Sequence, residues 1–317
     1  MNSPRLKSSF IYLANAVNDL RADWLSLTAA LAPLMLLTAL CVLPSALNLQ
    51  QAVAERFGAP GTRHVSLQLA QSDALAAQAG PHFSGWELMA LGALTLALTI
   101  LSFLVVMCSI RRNAQGAASN DWLTEAWATW RDVIALAPGF GWIVLLQLGP
   151  PVFAWALWSF TWWATPWWLA VMLYVFQLGI LFLGALWFLW LYFAGYALVF
   201  HNERGFHALL FSRDLLRKRF FRVGMRIVVF LAVWSGYYSW AGFAFVAASW
   251  VLGPLGAATG YFWSIFFIVE LLAVAVTFVM ITFFVSAGYR LYRDLVEIAG
   301  AERGVAPNPP LAAANLH

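Results

Sequence analysis

Glu270 is the residue of this 317-residue chain that most clearly suggests chemistry. It is the one charged residue deep inside a long apolar stretch, in the segment WSIFFIVELLAVAV. Counted from Tyr261, it lies about nine residues into a helix, or roughly 14 Å along the helix axis. A carboxylate at such a depth in a membrane is costly, and its default interpretation is functional.

Four other polar side chains fall inside apolar stretches and could join Glu270 in an intramembrane polar cluster. They are Gln147, Gln177, Tyr237 and Tyr238. Two interpretations stay open. The cluster could serve a small transporter or lipid-handling permease, or a protonated Glu270 could hydrogen-bond a glutamine or tyrosine on a neighbouring helix and only hold the helices together.

The other residues of types that can catalyse reactions or bind metals show no catalytic or metal-binding pattern. The five histidines are His64, His82, His201, His207 and His317, and their spacing is not that of metal ligands. The sequence contains neither a nucleophile with a base nor a glycine-rich phosphate loop. Cys41 and Cys108 fall in or at the edge of apolar runs, where packing is their expected role. We therefore expect no enzymatic activity, no cofactor and no metal.

The composition predicts an integral membrane protein. Of the residues, 62% are hydrophobic and 10% are charged, whereas a soluble domain has about 25% charged residues. Several apolar runs exceed the roughly 20 residues that a membrane-spanning helix needs. They are apolar on every side, unlike the alternating strands of a β-barrel. The predicted fold class is all-α integral membrane.

The predicted layout is a single membrane domain over residues 1–300 with a flexible tail over 301–317. Interfacial amphipathic helices are expected at 5–22, 120–136 and 206–224, and Asn120 or Asp121 is suited to cap the second one. Six spans are expected at about 24–47, 86–110, 141–160, 167–200, 227–251 and 261–289. A hydrophilic outer loop occupies 48–84, and an uncharged turn, GPLGAATG, separates the last two spans.

A basic segment sets the predicted orientation. Residues 203–226 carry seven cations and two anions, a net charge of +5. With this topology only Arg56 and Arg63 face outside, which leaves sixteen of the eighteen Lys and Arg inside. We expect a multi-pass protein of the bacterial inner membrane with both termini in the cytoplasm.

The cations of this segment have two possible roles. They are Arg213, Arg217, Lys218, Arg219, Arg222 and Arg226. They could bind anionic lipid head groups or an acidic partner, or they could simply set the topology. Helical phase places Arg213 and Arg217 on or beside the apolar stripe, so we expect each of them to need a partner in the bundle. A carboxylate, a helix C-terminus or a lipid phosphate would serve.

The chain also shows a candidate threefold repeat. The segments LANAVNDLRADW (13–24), LTEAWATWRDVI (123–134) and LLFSRDLLRKRF (209–220) align without gaps. The matching columns are Leu13, Leu123 and Leu209; Leu20, Trp130 and Leu216; Arg21, Arg131 and Arg217; and Trp24, Ile134 and Phe220. The apolar columns share one helical stripe with the arginine beside it. This predicts three units, each an interfacial helix followed by a transmembrane hairpin. The alternative is coincidence, because helices that enter a membrane often share this character.

Six spans with arginine-containing columns resemble the six-helix membrane domain that is attached to some glycerophosphoryl diester phosphodiesterases, and its stand-alone relatives without established activity. Those enzymes hydrolyse their substrate in a separate soluble barrel, so the resemblance implies a membrane module without catalytic residues. We therefore expect an accessory, assembly or scaffold component. Its expected partners are membrane lipids, anionic ones at the cytoplasmic face, and other membrane proteins, but not nucleic acid.

Overall fold

The fold is helical throughout the part of the chain that a computed structural model describes. The described residues are 6–22, 24–57, 85–116, 121–161, 167–203, 205–259 and 262–303. Only short turns interrupt the helices in these ranges, and no β-strand occurs within them. The predicted all-α fold class is therefore confirmed for the described residues.

The described ranges contain nine helices. In chain order they are α1 (Ser9–Ala22), α2 (Trp24–Phe57), α3 (Gly85–Ala114), α4 (Trp122–Thr161), α5 (Trp167–Leu191), α6 (Ala194–His201), α7 (Phe206–Leu216), α8 (Phe220–Thr259) and α9 (Phe262–Arg303).

Six stretches of helix are long and apolar enough to cross a membrane. They are Trp24–Val42 in α2, Met89–Ala114 in α3, Trp122–Gly149 in α4, Val171–His201 across α5 and α6, Phe220–Ala241 in α8 and Phe267–Ala301 in α9. Large apolar side chains such as Met172 and Phe182 are exposed on them, which suits contact with lipid rather than with water. The helices are those of a multi-pass membrane protein.

The chain divides into two compact units. The first comprises Met1–Leu27, Leu104–Ala232 and Phe283–His317, and the second comprises Thr28–Phe103 and Val233–Thr282. In the first unit, α4 packs against α5 and α6, and α7 packs against the same two helices. In the second unit, apolar side chains of α2, α3 and α9 are buried.

Helix α4 is longer than the sequence predicts. An interfacial helix over 120–136 and a separate span over 141–160 are expected, whereas one unbroken helix covers Trp122–Thr161. A break would leave carbonyl groups unpaired in apolar surroundings, so the helix continues despite its prolines. Gly139 lies inside this helix rather than in a turn, and a Cβ there would make an ordinary van der Waals contact with the side chain of Leu198 in α6.

The fourth span is interrupted where the sequence predicts one run over 167–200. Helix α5 ends at Leu191 and α6 begins at Ala194, with a two-residue turn between them. An uninterrupted apolar run gives no clear signal of such a turn, because membrane helices tolerate glycine in their interior. The reason for the break lies in contacts from other helices, which are described below.

Three further boundaries differ from the prediction. Helix α7 ends at Leu216, before the expected limit of 224, and α8 continues to Thr259 through most of the GPLGAATG segment. Helix α2 continues to Phe57, although a loop is expected from residue 48. Glycine and proline are tolerated inside membrane helices, which makes them weaker stop signals there than in soluble proteins.

Two predicted segments lie mostly outside the described residues. The outer loop is described only as far as residue 57, and of the tail only the part within α9 is described. Beyond residue 57 the outer loop stays a prediction, and beyond residue 303 the flexible tail does.

Candidate functional site

Helix α1 is fastened to α9 by two polar contacts. The hydroxyl of Tyr12 donates a hydrogen bond of 2.8 Å to the carboxylate of Asp294, and Arg290 forms a two-point ion pair with Asp19. Tyr12 is buried, and burial together with the Asp294 carboxylate raises the pKa of its hydroxyl far above the ordinary value. The hydroxyl therefore remains protonated and continues to donate at neutral pH.

The residues that precede α1 are held by Arg226 of α8. Its Nε donates to the carbonyl oxygen of Lys7 at 2.9 Å, and one terminal nitrogen donates to the carbonyl oxygen of Leu6 at 3.3 Å. The other terminal nitrogen donates to the carbonyl oxygen of Arg222 at 2.6 Å. Arg226 is therefore used as a structural link within the first unit.

The start of α4 is fastened to the end of α3 by Arg112. Its Nε donates to one carboxylate oxygen of Glu125 at 2.6 Å, and a terminal nitrogen donates to the other at 3.2 Å. A second contact, at 3.6 Å, joins the guanidinium to Asp132, about two helical turns further along the same face of α4. The Glu125 side chain is only 3% exposed, so the pair is a buried ion pair in which both carboxylate oxygens are used.

The cap of α4 is the predicted one. The backbone N–H of Leu123 donates to a carboxylate oxygen of Asp121 at 3.3 Å, and the hydroxyl of Thr124 donates to the other at 2.6 Å. These bonds, the Thr124 bond first, lower the pKa of Asp121. Of the two candidates, Asp121 is shown to cap, whereas Asn120 lies outside the described residues.

Helix α7 is fastened to α5 and α6. The hydroxyl of Ser212 donates to the carbonyl oxygen of Trp190 at 2.6 Å, and the ring of Phe211 lies 5.3 Å from the ring of His201 at the end of α6. Nδ1 of His201 lies 2.7 Å from the hydroxyl of Tyr292 in α9. His201 is therefore a partly buried residue that is paired with Tyr292 rather than an open ligand.

These three sets of contacts are called the helix clamps below. They join α1 to α9, the first turns of α4 to α3, and α7 to α5 and α6. Each clamping helix buries a small residue three positions after the leucine that begins the aligned segments, namely Ala16, Ala126 and Ser212. Small side chains allow helix backbones to approach closely, and this column explains why each clamp can be tight.

The break between α5 and α6 is satisfied by side chains of neighbouring helices. The Gln147 side-chain amide in α4 donates to the carbonyl oxygen of Leu191 at 2.6 Å, and the Ser212 bond to Trp190 lies one residue earlier. A helix interrupted in apolar surroundings leaves carbonyl groups without partners, and such groups must find other donors. Gln147 and Ser212 supply them.

Tightly packed tyrosines surround the contact between α6 and α9. The hydroxyl of Tyr196 donates to the carbonyl oxygen of Val285 at 3.1 Å, directly beside Gly288. A Cβ at Gly288 would overlap the Tyr196 hydroxyl and lie 3.1 Å from the hydroxyl of Tyr192. Only glycine fits here, because the phenol of Tyr196 occupies the space of a side chain.

The two glutamines of the predicted polar cluster lie in the first unit and have different surroundings. Gln147 caps the break between α5 and α6. Gln177 is buried in α5, and its Oε1 accepts no hydrogen bond among the described residues. The structure therefore does not bring these two amides into one hydrogen-bonded group.

The other members of the predicted cluster lie in the second unit. The hydroxyl of Tyr237 interacts with the side chain of Thr277, and the side chain of Tyr238 lies outside the described part. Glu270 is 4% exposed, and within the described ranges no ion pair or hydrogen bond reaches its carboxyl group. Its proposed role remains a prediction.

The predicted basic residues fall into two groups. Arg226 is engaged with backbone carbonyls, and Arg219 is only partly exposed. The exposed group consists of Arg213, Arg217, Lys218 and Arg222. Arg213 pairs with its neighbour Asp214 at 3.5 Å. Helix α7 turns its Ser212 side inward and these two arginines outward, so a partner on another helix is not found for Arg213 or Arg217 among the described residues, and a lipid phosphate as their partner stays a prediction.

The predicted repeat arginines are outward-facing where they are described. Arg131 and Arg217 are exposed, and the side chain of Arg21 lies outside the described part. The first leucine column is mixed, since Leu13 and Leu209 are buried whereas Leu123 is exposed. The aligned columns thus do not have one common environment.

Sequence reasoning did not find the acidic halves of the clamps. Asp19, Glu125 and Asp294 are all engaged with residues of another helix. Their position could have indicated this role. A carboxylate close to the apolar face of a basic helix needs a partner, because a charge removed from water is costly unless it is paired. Among the described residues, no group of three or more His, Cys, Asp or Glu side chains could hold a metal ion.

Comparison with known proteins gives no relative. No family model matches the chain, and neither a curated protein nor a solved structure does. The resemblance to the phosphodiesterase-associated membrane domain therefore stays a prediction.

Proposed function

We propose that this chain is a non-enzymatic accessory, assembly or scaffold protein that acts through contacts with lipids and other membrane proteins. The observation that carries the proposal is the use of the polar groups. Tyr12, Arg112, Glu125 and Arg290 are engaged in helix-to-helix contacts, while large apolar and cationic side chains cover the exterior. Groups that could do chemistry hold the bundle together, and the outside is left for partners.

We infer, further, that the chain is built from three related units. Each unit has an interfacial helix and a transmembrane hairpin, with approximate threefold symmetry. The helix clamps support this, because α1, the first turns of α4 and α7 are each fixed to the C-terminal part of a spanning stretch. The buried column of Ala16, Ala126 and Ser212 supports it as well, since equivalent positions then have equivalent packing.

The proposed location is the bacterial inner membrane, with both termini and the clamps on the cytoplasmic side. The excess of Lys and Arg in the segments around the clamps supports this orientation. Cysteine labelling tests it. After replacement of Cys41 and Cys108, a membrane-impermeant reagent should label Arg63→Cys in intact cells and leave Lys7→Cys unlabelled. Labelling of Lys7→Cys in intact cells would show that the N-terminus lies outside and would contradict the proposed orientation.

Purification in a mild detergent tests the accessory role. We expect a specific membrane protein to co-purify with the tagged chain in near-stoichiometric amounts. An unrelated six-span protein, expressed and purified in the same way, provides the control for non-specific association. Recovery of bulk lipid alone, or of the same proteins with the control, would contradict the proposal.

A transporter or lipid-handling permease that uses Glu270 is the second candidate. The observation that favours it is the burial of this carboxyl group without a hydrogen-bonding partner among the described residues, because such a group in a membrane is expensive to maintain. A role in packing alone would predict a partner on a neighbouring helix.

Replacement of Glu270 by Gln separates the two candidates. Liposomes containing the full chain are loaded with a pH-sensitive dye, and proton entry is followed after an imposed pH difference. The accessory role predicts that wild-type, Glu270→Gln and empty liposomes behave alike. Rapid entry with the wild type that is lost in Glu270→Gln would establish the transport function instead.

A further inference from the structure

The turn between α7 and α8 carries a compact cationic surface. Arg217 and Lys218 lie in the turn, Arg222 lies in the first turns of α8, and all three side chains are exposed. Arg213 is partly neutralised by Asp214, and Arg226 is engaged with backbone carbonyls. Three cations therefore remain available at this place.

The other two aligned segments do not share this surface. Lys218 corresponds to Ala22 and Asp132, and Arg222 corresponds to Ser26 and Leu136. A requirement for topology alone would be met by any basic residue near each span. The concentration of cations in the third segment therefore indicates an additional role for that segment. This comparison rests on the threefold repeat proposed above.

An aromatic side chain is exposed among these cations. Phe221 lies directly before Arg222 and is 85% exposed. Phenylalanine in water at this exposure is unfavourable, whereas at a membrane interface its ring can enter the boundary between head groups and acyl chains. A soluble acidic partner would leave the ring without an apolar environment, so the combination favours a lipid.

We infer that Arg217, Lys218 and Arg222, together with Phe221, bind the head group of an anionic phospholipid. The cations pair with the phosphate oxygens, and the phenyl ring packs against the upper part of the acyl chains. This surface gives the proposed accessory protein a defined lipid ligand.

Lipid titration of the full chain tests the inference. The detergent-purified protein is titrated with phosphatidylglycerol or with phosphatidylcholine of the same chain length, and bound lipids are counted by native mass spectrometry. Each basic residue at an anionic surface strengthens binding about fivefold. The wild type should therefore prefer phosphatidylglycerol by at least about tenfold, and Arg217→Gln/Lys218→Gln/Arg222→Gln should lose most of this preference.

A second triple variant with the same loss of charge is the matched control. Lys7→Gln/Arg111→Gln/Arg131→Gln removes three cations outside the surface and should keep the preference. Equal loss in both triple variants, or full preference in the first one, would overturn the inference. The charge-conserving variant Arg217→Lys/Arg222→Lys should behave as wild type, which separates lost binding from lost folding.

Phe221→Ala distinguishes a lipid from an acidic protein as the ligand. Lipid binding predicts weaker retention of phosphatidylglycerol by this variant. Unchanged retention, together with displacement of the lipid by soluble polyglutamate, would contradict the lipid assignment. A preference for phosphatidylglycerol without any co-purifying protein would support this inference and contradict the accessory role. A co-purifying protein without a lipid preference would support the accessory role and contradict this inference.

Discussion

Individual charged residues of the first unit work in pairs that join distant parts of the chain. Arg112 is the clearest case, because its guanidinium uses both oxygens of Glu125 and also reaches Asp132. A charge removed from water is tolerated only when a partner offsets it. Such a pair helps to specify that the first turns of α4 meet the end of α3.

Replacement of Arg112 by Ala should destabilise the protein by about 3 to 5 kcal/mol, because the buried carboxylate of Glu125 loses the cation that offsets its charge. The measurement is the unfolding free energy in mixed micelles titrated with a denaturing detergent. Arg131→Ala, at an exposed position of α4, the helix that carries Glu125, is the matched control and should change this free energy by no more than about 0.5 kcal/mol. Equal effects of both variants would contradict the structural role of the pair.

The residue-level partners were the least predictable part of the site. Asp19 and Arg290 are 271 positions apart in the sequence, and no local pattern reports a contact over that distance. Gln147 was predictable as an unusual polar group in an apolar run, but its use as a cap was not, because the break that it caps has no sequence signal. Burial of Glu270 was predictable from the apolar residues on both sides of it.

At the scale of elements, the clamps and the broken fourth span depend on backbones that approach closely. The small column of Ala16, Ala126 and Ser212 allows this in the clamping helices. Gly288 allows it where α9 meets the tyrosines of α6. Without hydrophobic attraction between helices in lipid, packing of this kind and polar contacts provide most of the association.

Gly288→Ala should destabilise the protein by about 1 to 3 kcal/mol, because the added methyl group overlaps the hydroxyl of Tyr196. Gly236→Ala is the control, since a Cβ there meets no atom within 4 Å, and it should be neutral or stabilising by up to about 1 kcal/mol. Both values come from detergent-induced unfolding. In a Tyr196→Phe background, Gly288→Ala should lower the unfolding free energy by less than it does in the wild type. An unchanged loss would rule out overlap with the Tyr196 hydroxyl as its cause.

The link between α1 and α9 should depend on pH through Tyr12. Its pKa is higher in the folded protein than in the unfolded chain, so the stabilisation is complete below the ordinary tyrosine value of about 10 and declines as the pH rises beyond it. The stability difference between wild type and Tyr12→Phe should therefore be constant from neutral pH to that value and smaller above it. Tyr174→Phe, at an exposed position, should show no stability difference at neutral pH. A Tyr12 difference that grows with pH would contradict the assignment.

At the scale of the whole molecule, hydropathy predicts the six spanning stretches and the helical class, because lipid requires long apolar helices. It does not predict where helices continue or stop. Helix α4 continues through residues 136–141, where the sequence predicts an end, while α5 ends at Leu191 inside a uniform apolar run. Those boundaries are set by contacts between helices, and the sequence gives no direct record of such contacts.

Together these features describe helices that polar contacts join and whose exposed surface carries large apolar and cationic side chains. Trp127 represents that surface, since it is 78% exposed on α4 opposite the side that carries the clamp. An aromatic residue in such a place is of the type that is enriched in protein interfaces and membrane interfaces.

Site-specific photo-crosslinking in living cells tests the accessory role most directly. A photoreactive amino acid replaces Trp127 in one variant and Ile143, which is fully buried in the same helix, in the control. We expect one discrete protein adduct from position 127 and none from position 143. Adducts with lipid alone from position 127, combined with catalytic turnover or transport by the purified chain, would contradict it.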